Sequence, residues 1–157
     1  MPNDTEIPGK KFKVTMLLAD HAQAVQGKLY ITGGGWSITG PNPTPSALAI
    51  KVEVPWGEAN RKHEWKLSLI DGHGQPVRVP TPVGDANIEF AGNFECGRPA
   101  GLPQETPLDM TLAFNLGPIP LQPGSRYAWK LKINDLETTD WEVWFSTRPM
   151  PQVLPPQ

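Results

Sequence analysis

Apolar and polar residues alternate with a period of two along most of the chain. Leu48, Ile50, Val52 and Val54 alternate around Lys51 and Glu53, and an apolar residue stands at every second position from 108 to 116. Successive side chains of a β-strand point to opposite faces, so this period indicates half-buried strands. The pattern predicts about nine strands, near residues 12–19, 28–38, 47–54, 63–71, 76–80, 87–95, 107–116, 125–134 and 140–147.

Glycine and proline stand mainly between these apolar runs. The chain has 15 glycines and 19 prolines, with no triplet period. Runs that end in such turn residues are typical of a meander or Greek key, not of alternating strands and helices. Two packed sheets accommodate nine strands better than one open sheet does. We therefore expect an all-β, antiparallel β-sandwich whose only helix candidate is a single turn at 58–62.

The glycine triplet 33–35 interrupts the second predicted strand. Leu29 and Ile31 have odd numbers, whereas Trp36 and Ile38 have even numbers, so a regular strand would place the two pairs on opposite faces. One residue bulged out at the glycines would bring all four onto one buried face. A phosphate-binding loop would need a helix directly after the glycines, and Trp36-Ser37-Ile38 does not indicate one. The bulge is the prediction.

The stretch 121–127 resembles the tyrosine corner of Greek-key sandwiches. In that feature a tyrosine near the start of a late strand directs its hydroxyl back to the preceding loop. Tyr127 follows Pro123-Gly124 in the required way. The resemblance favours an immunoglobulin-like sandwich and predicts a hydrogen bond between the Tyr127 hydroxyl and the connection 117–124.

Length and composition predict one domain, 11–148, between an N-terminal arm, 1–10, and a proline-rich C-terminal arm, 149–157. The net charge is −2, with 14 basic and 16 acidic residues in no basic stripe, so we expect no nucleic-acid partner. A lone cysteine suits a reducing compartment. The chain has neither a signal-like start nor an apolar run long enough to cross a bilayer. We expect a cytoplasmic protein with no membrane partner.

No residue pattern for catalysis or metal binding emerges. The histidines, 21, 63 and 73, lack ligand-like spacing, and the loop aspartates, 71, 85, 135 and 140, are too scattered to predict a calcium site. Cys96 is expected to be a partly buried, unreactive thiol. The sequence therefore predicts a protein that is not an enzyme and has no cofactor.

Six tryptophans are many for 157 residues. Trp65, Trp129 and Trp141 lie in phase with neighbouring apolar residues and are expected in the core. Trp144 is out of phase with Trp141, Val143 and Phe145, so it should lie on the opposite face. Trp56 follows Pro55 at a strand end. Exposed aromatic rings of this kind stack on sugars or anchor protein interfaces. Trp56 and Trp144 are therefore candidate partner-binding residues, with ordinary packing as the alternative.

The C-terminal arm supplies the other candidates. Pro151, Val153 and Leu154 lie in a segment whose prolines favour an extended, polyproline-like chain. The few apolar side chains of both arms would gain little by docking on their own domain, about 25 cal/mol per Å². Ordering the backbone costs about 1–2 kcal/mol per residue. We expect at least the C-terminal arm to contact a neighbouring chain.

A family resemblance is carried by the segment from Lys13 through Ala24 and by the segment from Gly27 through Thr32, with the glycine triplet 33–35 and Trp36 after it. It resembles the opening of a group of small bacterial and bacteriophage proteins known only as a domain of unknown function. The resemblance extends over most of the chain. It implies a β-sandwich and an occurrence in phage as well as bacterial genomes, and it implies no catalytic or binding residue.

Two functions of different classes follow. The first is a structural or interaction protein in a larger assembly, with another protein or a second copy as partner. Its sharpest form is a virion accessory, for capsid decoration or head–tail assembly. The second is a monomeric ligand- or carbohydrate-binding module that uses Trp56 or Trp144. An enzyme is the least supported class, because no acid, base, nucleophile or metal cluster is visible.

Overall fold

The computed structural model describes residues 12–152 and 156. The described chain consists of strands, turns and two short 3₁₀ helices, Trp56–Glu58 and Thr139–Trp141. Twelve strands occur in the order β1 Lys13–Ala19, β2 His21–Val25, β3 Lys28–Thr32, β4 Ile38–Thr39, β5 Ser46–Val54, β6 His63–Asp71, β7 Arg78–Thr81, β8 Gly84–Asn87, β9 Glu89–Phe94, β10 Leu108–Leu116, β11 Arg126–Ile133 and β12 Glu142–Thr147. The expected all-β class is confirmed.

The described strands form four sheets. A three-stranded sheet has the order β1-β5-β10, and a five-stranded sheet has the order β4-β12-β11-β6-β9. The hairpins β2-β3 and β7-β8 form the two small sheets. All described pairings are antiparallel except β4 with β12, which run parallel through Ile38 and Thr39. Antiparallel sheets were expected, but the strands divide among four sheets and not two, and the immunoglobulin-like character stays a prediction.

The two larger sheets contribute to one apolar core. The three-stranded sheet supplies even-numbered residues such as Leu48, Ile50 and Val52, which are fully buried. The five-stranded sheet supplies odd-numbered residues, including Trp129 and Leu131. The period of two therefore places one face of each sheet in a shared core, as the alternation of apolar residues predicts.

A second, smaller core lies on the other face of β5. Ala47 and Ala49 are buried there together with Ala19 and Ala22, and Leu29 packs against them. Small side chains allow the β2-β3 hairpin to approach the three-stranded sheet closely. The side-chain amide of Asn115 joins the hairpin to β10, because it donates to the Ala22 carbonyl at 2.7 Å and accepts from the Ala22 N–H at 3.1 Å.

The predicted bulge in a strand over 28–38 is wrong. β3 ends at Thr32, where the Asp20 N–H donates to the carbonyls of Thr32 and Gly33. Gly33 and Gly35 have φ values of +60° and +93°, which turn the chain out of the hairpin. The four apolar residues consequently separate. Leu29 packs on the alanine cluster and Trp36 on the main core, whereas Ile31 and Ile38 are exposed.

Other expectations need smaller corrections. The helical turn predicted at 58–62 is misplaced, because the 3₁₀ helix is Trp56–Glu58 and overlaps the prediction only at Glu58. Twelve described strands replace the nine expected, because short hairpin strands had been merged or missed. Among the tryptophans expected in the core, Trp129 and Trp141 are buried, and Trp65 is half-buried against the core with its ring beside Gly92.

The tyrosine corner is confirmed. The Tyr127 side chain is buried, and its hydroxyl oxygen accepts a hydrogen bond of 2.9 Å from the Gln122 N–H. Gln122 lies five residues earlier, in the connection between β10 and β11. The bond therefore ties this connection to the start of β11.

Replacing Tyr127 with phenylalanine removes this bond while keeping the ring. We expect Tyr127→Phe to lower the free energy of unfolding by about 0.5–1.5 kcal/mol, the usual net contribution of one hydrogen bond. Tyr30→Phe is the matched control, because Tyr30 is 55% exposed on the hairpin. Equal denaturation midpoints for the two variants would contradict a stabilising corner.

Candidate functional site

A pocket opens at the end of the core where β5 begins. Strands β1, β5, β11 and β12 each contribute a residue to it, Leu18, Ser46, Trp129 and Phe145 respectively. The segments 39–44 and 119–121 complete its wall and rim. Its volume is about 40 Å³, several times the ~10–15 Å³ that one water molecule requires. The walls are mostly apolar, so the pocket suits the end of an aliphatic side chain.

Trp36 lines the pocket and carries a buried hydrogen-bond donor. Its ring packs edge-on against Phe145, with ring centroids 6.1 Å apart and planes at 87°. The indole Nε1 is buried and has no hydrogen-bond partner within the described residues. A buried N–H without an acceptor is unfavourable by about 1–3 kcal/mol. Because this nitrogen is buried, the Trp36 ring is held by packing and not by a hydrogen bond of its Nε1 within the described residues.

Thr147 connects the pocket to the start of the C-terminal arm. Its hydroxyl donates to the Gln122 carbonyl at 2.6 Å and accepts from the Ser125 N–H at 3.0 Å. The next residue, Arg148, donates its N–H to the Thr39 carbonyl at 2.9 Å and accepts from the Gly124 N–H at 3.1 Å. These bonds hold the end of the domain at the pocket rim, because Thr39 and Thr147 themselves line the pocket.

Trp144 lies outside the main core, unlike its neighbours Val143 and Phe145. It is half-buried, and the Arg126 guanidinium lies over its ring, 4.4 Å from the centroid. Its Nε1 donates to a carboxylate oxygen of Glu142 at 3.0 Å. The predicted change of face is therefore confirmed. Its ring and its polar atom both have partners within the chain.

Trp56 stands at the opposite end of β5 and packs against the core. The Arg98 guanidinium lies over its ring at 4.9 Å, and Arg98 also donates to the Trp56 carbonyl, with the shorter of two bonds 2.6 Å long. Trp56 and Trp144 thus belong to separate parts of the surface. The structure does not bring them into one site.

The candidates in the C-terminal arm fall at the limit of the described chain. Pro151 is exposed, as are the residues on either side of it, and Met150 is 55% exposed. Val153 and Leu154 lie outside the described residues.

The sequence analysis did not predict the pocket, because it placed Trp36 in a continuous strand. The prolines at 41 and 43 were a usable signal of an irregular segment after the glycines.

His63 and Cys96 are packed against other residues of the domain. His63 is buried, its Nε2 lies 2.9 Å from the Glu58 carbonyl, and its Nδ1 lies 2.9 Å from the side-chain nitrogen of Asn134. Because the amide nitrogen can only donate, Nδ1 accepts and Nε2 carries the proton. Burial raises the pKa of the Cys96 thiol, with a smaller contribution from the charge of Asp109.

Two surface carboxylates have lowered pKa values for local reasons. Asp71 accepts hydrogen bonds from the N–H groups of Gln75 and His73, which lower its pKa. Glu137 has its pKa lowered first by a hydrogen bond from Lys130 and further by Lys132.

No cluster for a metal ion is found in the part of the chain that the structure describes, because no three His, Cys, Asp or Glu side chains come together within residues 12–152 and 156. In the same residues, no helix has the length and apolar character needed to span a membrane.

The Thr147 hydroxyl gives a direct test of how the pocket wall is held. Thr147→Val keeps the shape but leaves the Gln122 carbonyl and the Ser125 N–H without this partner. We expect the free energy of unfolding to fall by about 1–3 kcal/mol. The control Thr15→Val, at an exposed position of β1, should change it by less than about 0.5 kcal/mol. Equal stabilities in urea denaturation would show that the hydroxyl is not needed.

Comparison with known proteins identifies one relationship. A family model described as a family of unknown function (DUF6941) matches residues 14–143. No curated protein and no solved structure matches the chain. The match covers well over half of the chain and includes the glycine triplet and the tyrosine corner. The protein therefore belongs to the DUF6941 family, whose function is unknown.

Proposed function

We propose that this protein is a non-enzymatic interaction protein that joins a larger assembly through its C-terminal arm. The observation that carries the proposal is the course of the chain after β12. Arg148 is hydrogen-bonded to Thr39 and Gly124, whereas 149–152 are exposed. The arm therefore leaves the domain at a defined point, with Met150 exposed beyond it.

The energetics of the arm support a partner. Its apolar side chains are few, chiefly Met150, Val153 and Leu154. Met150 is 55% exposed and gains little from its own domain. Prolines lower the entropy that ordering costs, because their φ angle is restricted in the unfolded chain as well. A second surface that adds main-chain hydrogen bonds and apolar contact makes the ordering favourable.

The sharper form of the proposal is a bacteriophage virion accessory protein, in capsid decoration or in the head–tail region. The resemblance of the opening segment, including Gly33-Gly34-Gly35-Trp36, to bacterial and phage proteins is the support for this setting. The protein would be made in the cytoplasm and incorporated into the particle. Small mixed charge and a single cysteine suit such a role.

A ligand-binding module, for carbohydrate as an example, is the second candidate. Trp144 favours it, because this ring is half-buried on the outside of the five-stranded sheet. A sugar needs an open aromatic face, however, and Arg126 already lies over one face of the ring. Arg98 lies over Trp56 in the same way. The interaction role therefore has the stronger physical basis.

Deleting 149–157 tests the proposal. We expect the deletion to weaken association, measured by analytical ultracentrifugation, and to leave the thermal midpoint within about 2 °C, because these residues add little to the core. Arg148 and its two hydrogen bonds are kept. A midpoint lowered by several degrees with association unchanged would make the arm part of the fold and remove the main support for an assembly role.

A further inference from the structure

We propose that the outer edge of β10 pairs with the same strand of a second copy of this chain, so that two three-stranded sheets join in a two-fold dimer. The inference concerns a different surface from the C-terminal arm and uses only described residues. Three features of β10 carry it: an edge without a main-chain partner among those residues, apolar side chains that are half-buried, and a residue order that matches itself about Leu112.

The main chain of β10 is paired on one side. The strand stands at the end of the order β1-β5-β10 and pairs with β5 over all nine residues in a regular register. Elsewhere within residues 12–152 and 156, no main-chain hydrogen bond involves residues 108–116. In an antiparallel ladder, alternate residues direct their N–H and C=O groups away from the paired neighbour. The outer edge of β10 is thus a row of donors and acceptors that a further strand can use.

This edge has none of the usual protection against such pairing. Natural edge strands are blunted by lysine, proline or a bulge. β10 contains no lysine, arginine or proline, and its one charged residue is Asp109, whose carboxylate lies 3.7 Å from the Lys51 ammonium. The other end strand of this sheet differs, because β1 begins with Lys13 and its Leu18 carbonyl accepts from the Gly35 N–H at 2.7 Å. β10 is therefore the edge of this sheet that is better suited to receive a strand.

The apolar core remains accessible along β10. Met110, Leu112 and Phe114 pack against the core but are only half-buried. Their neighbours on β5, Ile50 and Val52, are fully buried. A strand added at the edge of β10 would cover the three side chains further, and removal of apolar surface from water favours association.

The residue order of β10 selects a second copy of the same strand. In an antiparallel pair centred on Leu112, Met110 of one copy lies opposite Phe114 of the other, and Asp109 lies opposite Asn115. Apolar side chains therefore meet apolar ones, and no two charges of one sign face each other. A two-fold interface requires this self-complementarity, because every residue pair in it occurs twice. A strongly charged partner strand would find only Asp109, which already lies beside a lysine.

Cysteine cross-linking tests the pair and its register in full-length chains that also carry Cys96→Ser. Leu112→Cys places the thiol opposite its own copy, and directly opposite Cβ atoms are about 4.5–5.5 Å apart. Asp109→Cys is the matched control, because in this register its copy lies six residues further along the strand, about 20 Å away. Asp109 is also the more exposed position, so random collision would cross-link it first. We expect a disulfide-linked dimer from Leu112→Cys and at most a tenth as much from Asp109→Cys.

A lysine on this edge should block the pair. Met110→Lys keeps a long stem that packs on the core while its charge reaches water, but in the dimer that charge would face Phe114 of the other copy. Met16→Lys is the matched control, because Met16 is half-buried against the same core on β1, the opposite end strand of the sheet. We expect Met110→Lys to raise the dimer dissociation constant at least tenfold in analytical ultracentrifugation, and Met16→Lys to leave it within about twofold. Thermal unfolding of both variants establishes that the fold is kept.

The outcomes decide the inference. Equal cross-linking at positions 109 and 112, or none at 112, would overturn the register and the pair. Equal effects of the two lysine variants would place the contact away from β10. A wild-type chain that is monomeric at all concentrations, as it would be if this edge binds a strand of a different protein, would also overturn the dimer. None of these substitutions changes residues 149–157, so the proposed role of the arm stands or falls by its own test.

Discussion

Burial of β5 on both faces is the constraint on which the rest of the structure depends. Its even-numbered residues Leu48, Ile50, Val52 and Val54 are fully buried in the core shared with the five-stranded sheet. Its odd-numbered alanines, 47 and 49, are buried under the β2-β3 hairpin. The second face is covered only over this first half, since Lys51 and Glu53 are partly exposed. Where both faces are covered, the strand cannot shift its register by one residue without exposing one set and crowding the other. The positions of β1 and β10, which flank β5, follow from it.

The pocket arises where this arrangement ends. After the β2-β3 hairpin, the chain crosses to the five-stranded sheet and pairs with β12 through the two residues of β4. This crossing brings Trp36 and the proline-rich segment after it beside the last strand of the domain. The end of β12 is therefore also the rim of the pocket.

Much of the fold could be predicted from local pattern. The apolar alternation gave the long strands because half-buried strands require it, and the tyrosine corner was recognisable because its spacing is local. The path through Gly33 and Gly35 could not be predicted, because both a bulge and a turn use glycine at positive φ. The pocket depends on the parallel pairing of β4 with β12, which joins residues more than a hundred positions apart and leaves no periodic signal in two residues. Trp56 and Trp144 were correctly singled out as unusual, but the arginines that lie over them come from distant strands and loops.

The central claim is that β5, buried in the main core and covered on its other face over its first half, is the most strongly held strand of the structure. Native-state amide hydrogen exchange tests it directly, because it reports the free energy of opening for each strand separately. The account predicts that the amides of β5 exchange only through global unfolding, whereas those of the largely exposed β7-β8 hairpin exchange at a lower free energy. Exchange of the β5 amides at free energies as low as those of the hairpin would contradict it.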